Sequence, residues 1–229
     1  MKHGKAYNKA QDTFERDKEY SISEAVELLG NFPKAKFDET VDLAVRLNVN
    51  PKHADQMVRG TVVLPNGTGK TVRVLVITRG PKEQEAIDAG ADMVGADEYL
   101  PKIKDGWTDV DVIIATPDMM GELGRLGRIL GPRGLMPNPK VGTVTMDITK
   151  AVTEAKAGRI EYRVDKSGII HVPVGKRSFG AAELTENATV LFQELMRVRP
   201  SAVKGTYVKS AFISGSMTPS IRLDNASFA

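Results

Sequence analysis

The stretch from Leu64 to Val74 reads LPNGTGKTVRV, and its centre, Gly67-Thr68-Gly69-Lys70-Thr71, carries the residue types that cradle phosphate in ATP- and GTP-binding proteins. Such a loop follows G-x-x-x-x-G-K-[ST]. Glycines bare backbone N–H groups, the lysine reaches the outer phosphates, and a following helix directs its N-terminus at the anion. Here the first glycine position is Leu64, and Lys70-Thr71 runs straight into VRVLVI, a β-branched strand pattern. Lacking that glycine and that helix, the segment is a poor phosphate loop. A nucleotide-dependent α/β enzyme is therefore only the alternative reading, and Gly67 and Gly69 read as a flexible connector.

A second segment, MGELGRLGRILGPRGLMPNPKVGT, interleaves Gly121, Gly124, Gly127, Gly131, Gly134 and Gly142 with Arg125, Arg128, Arg133 and Lys140. Pro132, Pro137 and Pro139 oppose helix there, so a loop is expected. It reads equally well as a backbone-exposing basic loop that meets phosphates or as a packed loop with solvated arginines. Asp109, Asp111 and Asp118 flank a strand that ends at Thr116-Pro117, where α/β enzymes place chemistry, but no nucleophile or acid–base motif accompanies them. Catalysis is not expected. The chain has no cysteine, and His3, His53 and His171 show no ligand spacing, so neither a metal nor a cofactor is expected.

The elements that hold these residues follow from periodicity. Ser21 with Glu24 forms a capping box, and Ala25, Leu28 and Leu29 continue at helical spacing, predicting a helix over 22–31. In DETVDLAVRLNVN, Val41, Leu43, Val45, Leu47 and Val49 alternate with Thr40, Asp42, Arg46 and Asn48, a strand with one solvated face. MVRGTVVL reads as a second strand. From residue 68 the pattern changes to short apolar strands (TVRVLVI, DVIIATP) alternating with polar helices (PKEQEAIDAG, DEYLPKIKDG, DITKAVTEAKAG), which is α/β construction. After Gly158 alternation returns. RIEYRV and IIHVPV flank DKSG and read as a hairpin, AAELTENATVLFQELMRV as a long amphipathic helix, and TYVKSAFIS and PSIRL as strands.

The class is therefore α/β, with residues 68–158 inserted into an outer α+β domain made of 1–67 and 159–229. The chain's 229 residues and net charge of +3 suit one or two soluble domains. Residues 1–67 hold 10 basic and 10 acidic side chains, 159–229 hold 10 and 6, and 68–158 hold 12 and 13. A polyanion would sit better on the outer part. The polar N-terminus is no secretory signal and no apolar run approaches ~20 residues, so a cytoplasmic protein without membrane contact is expected.

Five blocks, AKFDETVDLAVRLNV, VRGTVVLPNGTGK, GRLGRILGPRGLMPNPKVGTV, KAGRIEYRVDKSGIIHVPVGK and SMTPSIRL, occur in the order found in the bacterial large-subunit ribosomal protein of the lateral stalk, the "L-one" family. The chain resembles that family over essentially its whole length. The resemblance implies an outer domain of split β-α-β type and an inserted Rossmann-like domain of three layers. It implies binding to large-subunit rRNA in the mobile stalk near the tRNA exit site and help in releasing deacylated tRNA. It also implies translational repression through the leader of the protein's own operon mRNA, and a monomer when free.

On this sequence the resemblance places RNA contacts at Lys36, Phe37, Glu39 and Thr40 and at Ser216, Met217, Thr218, Pro219 and Ser220. The turn of Asp165, Lys166, Ser167 and Gly168, and nearby His171, are further candidates. By itself Phe37 fits a core aromatic at the start of a strand, and the resemblance reverses that reading. Family members usually carry Thr-Met-Gly-Pro in the C-terminal block, so Ser216 and Thr218 depart from the pattern, and Thr218 adds a β-branch. The crossings between domains would make Gly67 and Gly69 one half of a hinge and Ala157 and Gly158 the other. Arg125, Arg128, Arg133 and Lys140 would be secondary contacts with rRNA or exit-site tRNA.

Overall fold

The computed structural model describes residues 4–225. In chain order they form helices α1 (Lys5–Gln11) and α2 (Ile22–Asn31), strands β1 (Thr40–Leu47), β2 (Arg59–Val63) and β3 (Val74–Ile77), helix α3 (Lys82–Asp88), strand β4 (Met93–Val94), helix α4 (Tyr99–Lys104), strand β5 (Val112–Ala115), helices α5 (Met120–Arg125), α6 (Gly127–Leu130) and α7 (Ile148–Lys156), strands β6 (Arg159–Arg163) and β7 (Ile169–Lys176), helix α8 (Ala181–Arg197), and strands β8 (Val208–Gly215) and β9 (Ile221–Leu223). The fold is α/β. The chain divides into two compact units, the first built from both of its ends up to Gly69 and from Ile160, the second spanning Lys70–Arg159.

The first unit is organised by β1. Its alternation puts Val41, Leu43, Val45 and Leu47 in the core and leaves Asp42, Ala44 and Arg46 on the other face. A strand with such a face pairs well on both edges, and β1 is central in the antiparallel order β7-β1-β8-β9. Helix α2 starts at the Ser21–Glu24 capping box, where Glu24 N donates to Ser21 Oγ at 3.3 Å and Ser21 N to the Glu24 carboxylate at 2.9 Å. It packs on the core face together with α8, whose Leu184, Ala188, Leu191 and Leu195 recur at helical spacing. Truncating one such leucine to alanine costs about 2–5 kcal/mol.

Asn187 is the polar exception on that helix stripe. It is 0% exposed, accepts from Asn66 N at 3.1 Å and donates to Gly67 O at 3.0 Å and Val174 O at 2.8 Å. A buried amide satisfied this way fixes the segment before the first crossing against β7.

In the second unit β4-β3-β5 form a parallel sheet with helices on both faces. Val74, Val76 and Ile114 face α3 and α7, and Leu75, Ile77 and Ile113 face α4, α5 and α6.

Two expectations are corrected. β6 and β7 do not pair as a hairpin: β6 pairs with β2 in a separate two-stranded sheet, and β7 pairs with β1. The turn itself forms, but the alternating face of β1 offers β7 a longer ladder, while Val164 N donates to Val58 O and carries the end of β6 along β2. The glycine- and arginine-rich segment is not all loop, since α5 and α6 occupy its first half. Leu123, Leu126 and Leu130 are buried at helical spacing, and Pro132 falls after the second helix has ended.

Candidate nucleic-acid interface

At the end of the sheet where β1 begins and β7 and β8 finish, a buried ion pair organises the backbone. Glu39 is 1% exposed and the Arg177 side chain 6%. Arg177 Nη1 donates to Glu39 Oε1 at 2.8 Å and to Pro33 O at 3.0 Å, while Nη2 donates to Leu29 O at 2.8 Å and to Phe32 O. The guanidinium thus closes carbonyls at the C-terminal end of α2, where a cation is favoured. The Glu39 carboxylate also accepts from Ala35 N at 3.1 Å and from Met217 N at 3.1 Å, and Arg177 N donates to Glu39 O at 2.8 Å. The resemblance places Glu39 among the RNA contacts; here its carboxylate is buried and occupied by three donors, Arg177 Nη1, Ala35 N and Met217 N.

Around this pair the surface is assembled from both ends of the sequence. Phe37 is 56% exposed and Met217 63%, among the largest exposed apolar side chains of the described residues. Lys36, Ser216 and Ser220 are exposed beside them in sequence, and Pro219 is buried. Ser216 bridges to β1: its Oγ accepts from Thr40 N at 3.2 Å and its N donates to Thr40 O at 3.1 Å. Lys176 Nζ donates to Thr40 Oγ1 at 2.8 Å, which sets a cation next to these hydroxyls. Thr218 Oγ1 accepts from Gly215 N at 2.8 Å, so the β-branched residue ties the turn down. No non-glycine residue among those described has positive φ, so position 218 needs no glycine for its backbone angles. Gly215 is the constrained position, because a Cβ there would lie 3.0 Å from Glu39 Oε2 and 3.1 Å from Thr218 Oγ1.

The uncovered face of the sheet leads away from this end. Strand register sets Pro173, Asp42 and Ser214 in one row, His171, Ala44, Phe212 and Arg222 in the next, and Ile169, Arg46 and Ser210 beyond. His171 is exposed on this face. Burial pushes the Asp42 carboxyl above the ordinary carboxylate range, against the opposing pull of His171 and Lys176.

The turn of Asp165–Gly168 lies at the opposite end of β1, where Gly168 O accepts from Leu47 N at 2.8 Å. Seven residue steps along β1 make that about 23 Å from the Phe37 end. Asp165 Oδ1 accepts from Ile169 N and Ser167 N, both at 2.8 Å. The Ile169 and Ser167 amides hold its carboxyl below the usual range. Asp165 therefore shapes the turn that presents exposed Lys166 and Ser167, and Gly168 is buried against the end of β1. Gly168 and Pro219, like Glu39, are buried.

Sequence reasoning missed Arg177 as an organiser and did not single out the half-buried Lys176 and Phe212, while the alternation of β1 had placed Arg46 on its solvated face, where it is exposed. Lys176-Arg177 reads as a solvated basic pair, and only long-range packing buries one member.

In the second unit, β3 rather than a helix follows Thr71, and Lys70 Nζ is held by Asp111 Oδ1 at 2.5 Å. Asp111 also accepts from Arg73 N, and Asp109 pairs with Arg73, so these carboxylates brace the start of β3. Gly69 takes φ +68° against the Phe179 ring and the Lys176 stem, and Gly158 takes φ +95° after Ala157, whose N donates to Thr153 O at 2.9 Å. Arg125, Arg128, Arg133 and Lys140 are all exposed, with no ion-pair partner among the described residues. Among those residues no group of three or more His, Asp or Glu could hold a metal ion, and no helix is long and apolar enough to cross a membrane. The sequence model of the Ribosomal protein L1p/L10e family matches residues 29–219, a span that takes in both halves of the surface around Glu39.

Proposed function

The chain belongs to the ribosomal protein L1p/L10e family, structural rRNA-binding proteins rather than enzymes, and from that premise we propose that the Phe37–Met217 end and the adjoining open sheet face form its rRNA contact. The observation that supports this most is chemical: two large apolar side chains stand exposed on segments hydrogen-bonded to the buried Glu39 carboxylate, beside lysines and hydroxyls. Exposed rings and thioethers pack on nucleosides, hydroxyls meet 2′-OH groups and lysines hold phosphates, a combination suited to RNA. His171, Arg46, Lys166 and Ser167 extend the surface along the sheet.

On this reading the protein sits in the stalk of the large subunit near the tRNA exit site, in the cytoplasm, and assists release of deacylated tRNA. The same surface binds the leader of its own operon mRNA and represses translation. Arg125, Arg128, Arg133 and Lys140 make weaker contacts with rRNA or departing tRNA, the free protein is a monomer, and Gly67, Gly69, Ala157 and Gly158 act as a hinge between the domains 1–67 with 159–229 and 68–158. The nucleotide-enzyme reading draws no support from Lys70, which is engaged by Asp111.

Filter binding of the full chain to a large-subunit stalk rRNA fragment tests the central point. Specific binding is expected, competed by the operon leader and weakened by salt in proportion to the phosphates contacted. Affinity no greater than for a scrambled RNA of equal length would sink the reading.

A further inference from the structure

The Glu39–Arg177 pair poses a physical question. Burying two charges costs several kcal/mol per ion before their attraction is counted, and apolar residues of similar volume often stabilise a core as well or better. An apolar pair, however, could not gather backbone groups from three places. Glu39 accepts from Ala35 N, before β1, and from Met217 N, after β8, while Arg177 takes the Leu29, Phe32 and Pro33 carbonyls ahead of them. The large apolar side chains that stand out into solvent on those two segments are Phe37 and Met217. A Cβ at Gly215 would come within 3.0 Å of the carboxylate, a tight approach, so the second segment is seated against it.

We propose that Glu39 and Arg177 are positioning residues for RNA recognition, fixing the Phe37 and Met217 segments as one platform while touching no RNA themselves. The inference rests on the RNA-binding reading above. Charge matters as well as shape. Glu39 must present acceptors on both oxygens, to Arg177 and Ala35 on one and to Met217 on the other, and a glutamine turns one of those oxygens into a donor facing a donor. A lysine at 177 keeps the charge but cannot serve four acceptors in the planar fork of an arginine.

The test compares the full chain with Glu39→Gln, Arg177→Lys, Arg177→Met and the Glu39→Gln/Arg177→Met double variant, using a large-subunit stalk rRNA fragment as probe. Each is measured at a temperature where circular dichroism shows it folded. Glu39→Gln is expected to weaken binding about tenfold or more, and Arg177→Lys less. Adding Arg177→Met to Glu39→Gln is expected to change little further, because the two act as a unit. The slope of log affinity against log salt should stay at the wild-type value in all of them, whereas Lys36→Ala should lower it by about 0.7–0.9 for a lost phosphate. Met217 amide exchange should speed up in Glu39→Gln without RNA.

Wild-type affinity in both Glu39→Gln and Arg177→Lys, or a reduced salt slope in the Arg177 variants, overturns the proposal. Should the wild-type chain fail to prefer the rRNA fragment, the RNA-binding reading falls instead, and the exchange rate then decides the positioning claim: an unchanged Met217 rate overturns it. If Arg177→Met does not fold, Glu39→Gln and Arg177→Lys carry the comparison alone.

Discussion

The Phe37–Met217 end of the first unit and the Gly/Arg segment of the second both offer cations to solvent, but they are built differently. In the first, lysines accompany two exposed apolar side chains on backbone fixed by a buried ion pair. In the second, the leucines at 123, 126 and 130 are buried and Arg125, Arg128, Arg133 and Lys140 face outward, with no ion pair among the described residues to orient them. Charge alone attracts any polyanion and weakens with salt, whereas fixed apolar surfaces and hydroxyls discriminate by shape. The difference suggests reading by the first region and holding by the second.

The largest effects should come from the apolar anchors. Phe37→Ala and Met217→Ala are each expected to cost about 1–3 kcal/mol of rRNA binding with the salt slope unchanged, measured by filter binding across a salt series. Unchanged affinity would remove the basis of the comparison. Replacing Arg125, Arg128, Arg133 and Lys140 together by glutamine should act the other way. It should flatten the salt slope by up to about 0.7–0.9 per contact made and cost less than either anchor near 0.15 M salt. A loss as large as that of Phe37→Ala at every salt concentration would make the second region a reader too.

Asp42→Asn sharpens the contrast within the first region. The folded-state pKa of Asp42 is raised, so its ionised form is disfavoured by folding at neutral pH. Asn at 42 should therefore stabilise the protein at pH about 7, and the gain should shrink as pH falls through the raised value and vanish below the ordinary Asp range, about 3.9. Urea unfolding at several pH values checks the sign, and the variant should also bind RNA somewhat more tightly for want of an anion on the sheet face. The smallest change in affinity is expected from Gly158→Ala. If Gly158 belongs to a hinge away from the RNA, rRNA affinity should stay within about twofold even though its φ of +95° disfavours a side chain. A loss matching Phe37→Ala would refute the hinge.

What the sequence disclosed was mostly local. Ser21 with Glu24 marks the start of α2, the alternation from Val41 to Leu47 marks β1 and its two faces, and the apolar stripe of α8 needs no partner to be seen. Pairing was not legible in the same way. β6 and β7 flank a turn that forms, yet each chose a strand far away in sequence, because the choice depends on β1 and β2. In the Gly/Arg segment the three prolines outweighed the leucine spacing, though only Pro132 bears on where α6 ends. Arg177 shows the limit for the candidate site. Nothing distinguishes it from Lys176 until β7, α2 and Glu39 are packed together. The exposure of Phe37 was likewise invisible to periodicity, and the expectation of it came from family resemblance.

The bonds at Glu39 also set an order of events during synthesis. Arg177 lies 138 residues after Glu39, and Met217 lies 178 residues after it. The inserted unit, Lys70–Arg159, is complete before either partner has been made. A growing chain therefore holds Phe37 without its mount until the last strands emerge. The surface around Glu39 comes into being only once Met217 has been made, so an RNA that needs that surface does not meet shorter nascent chains.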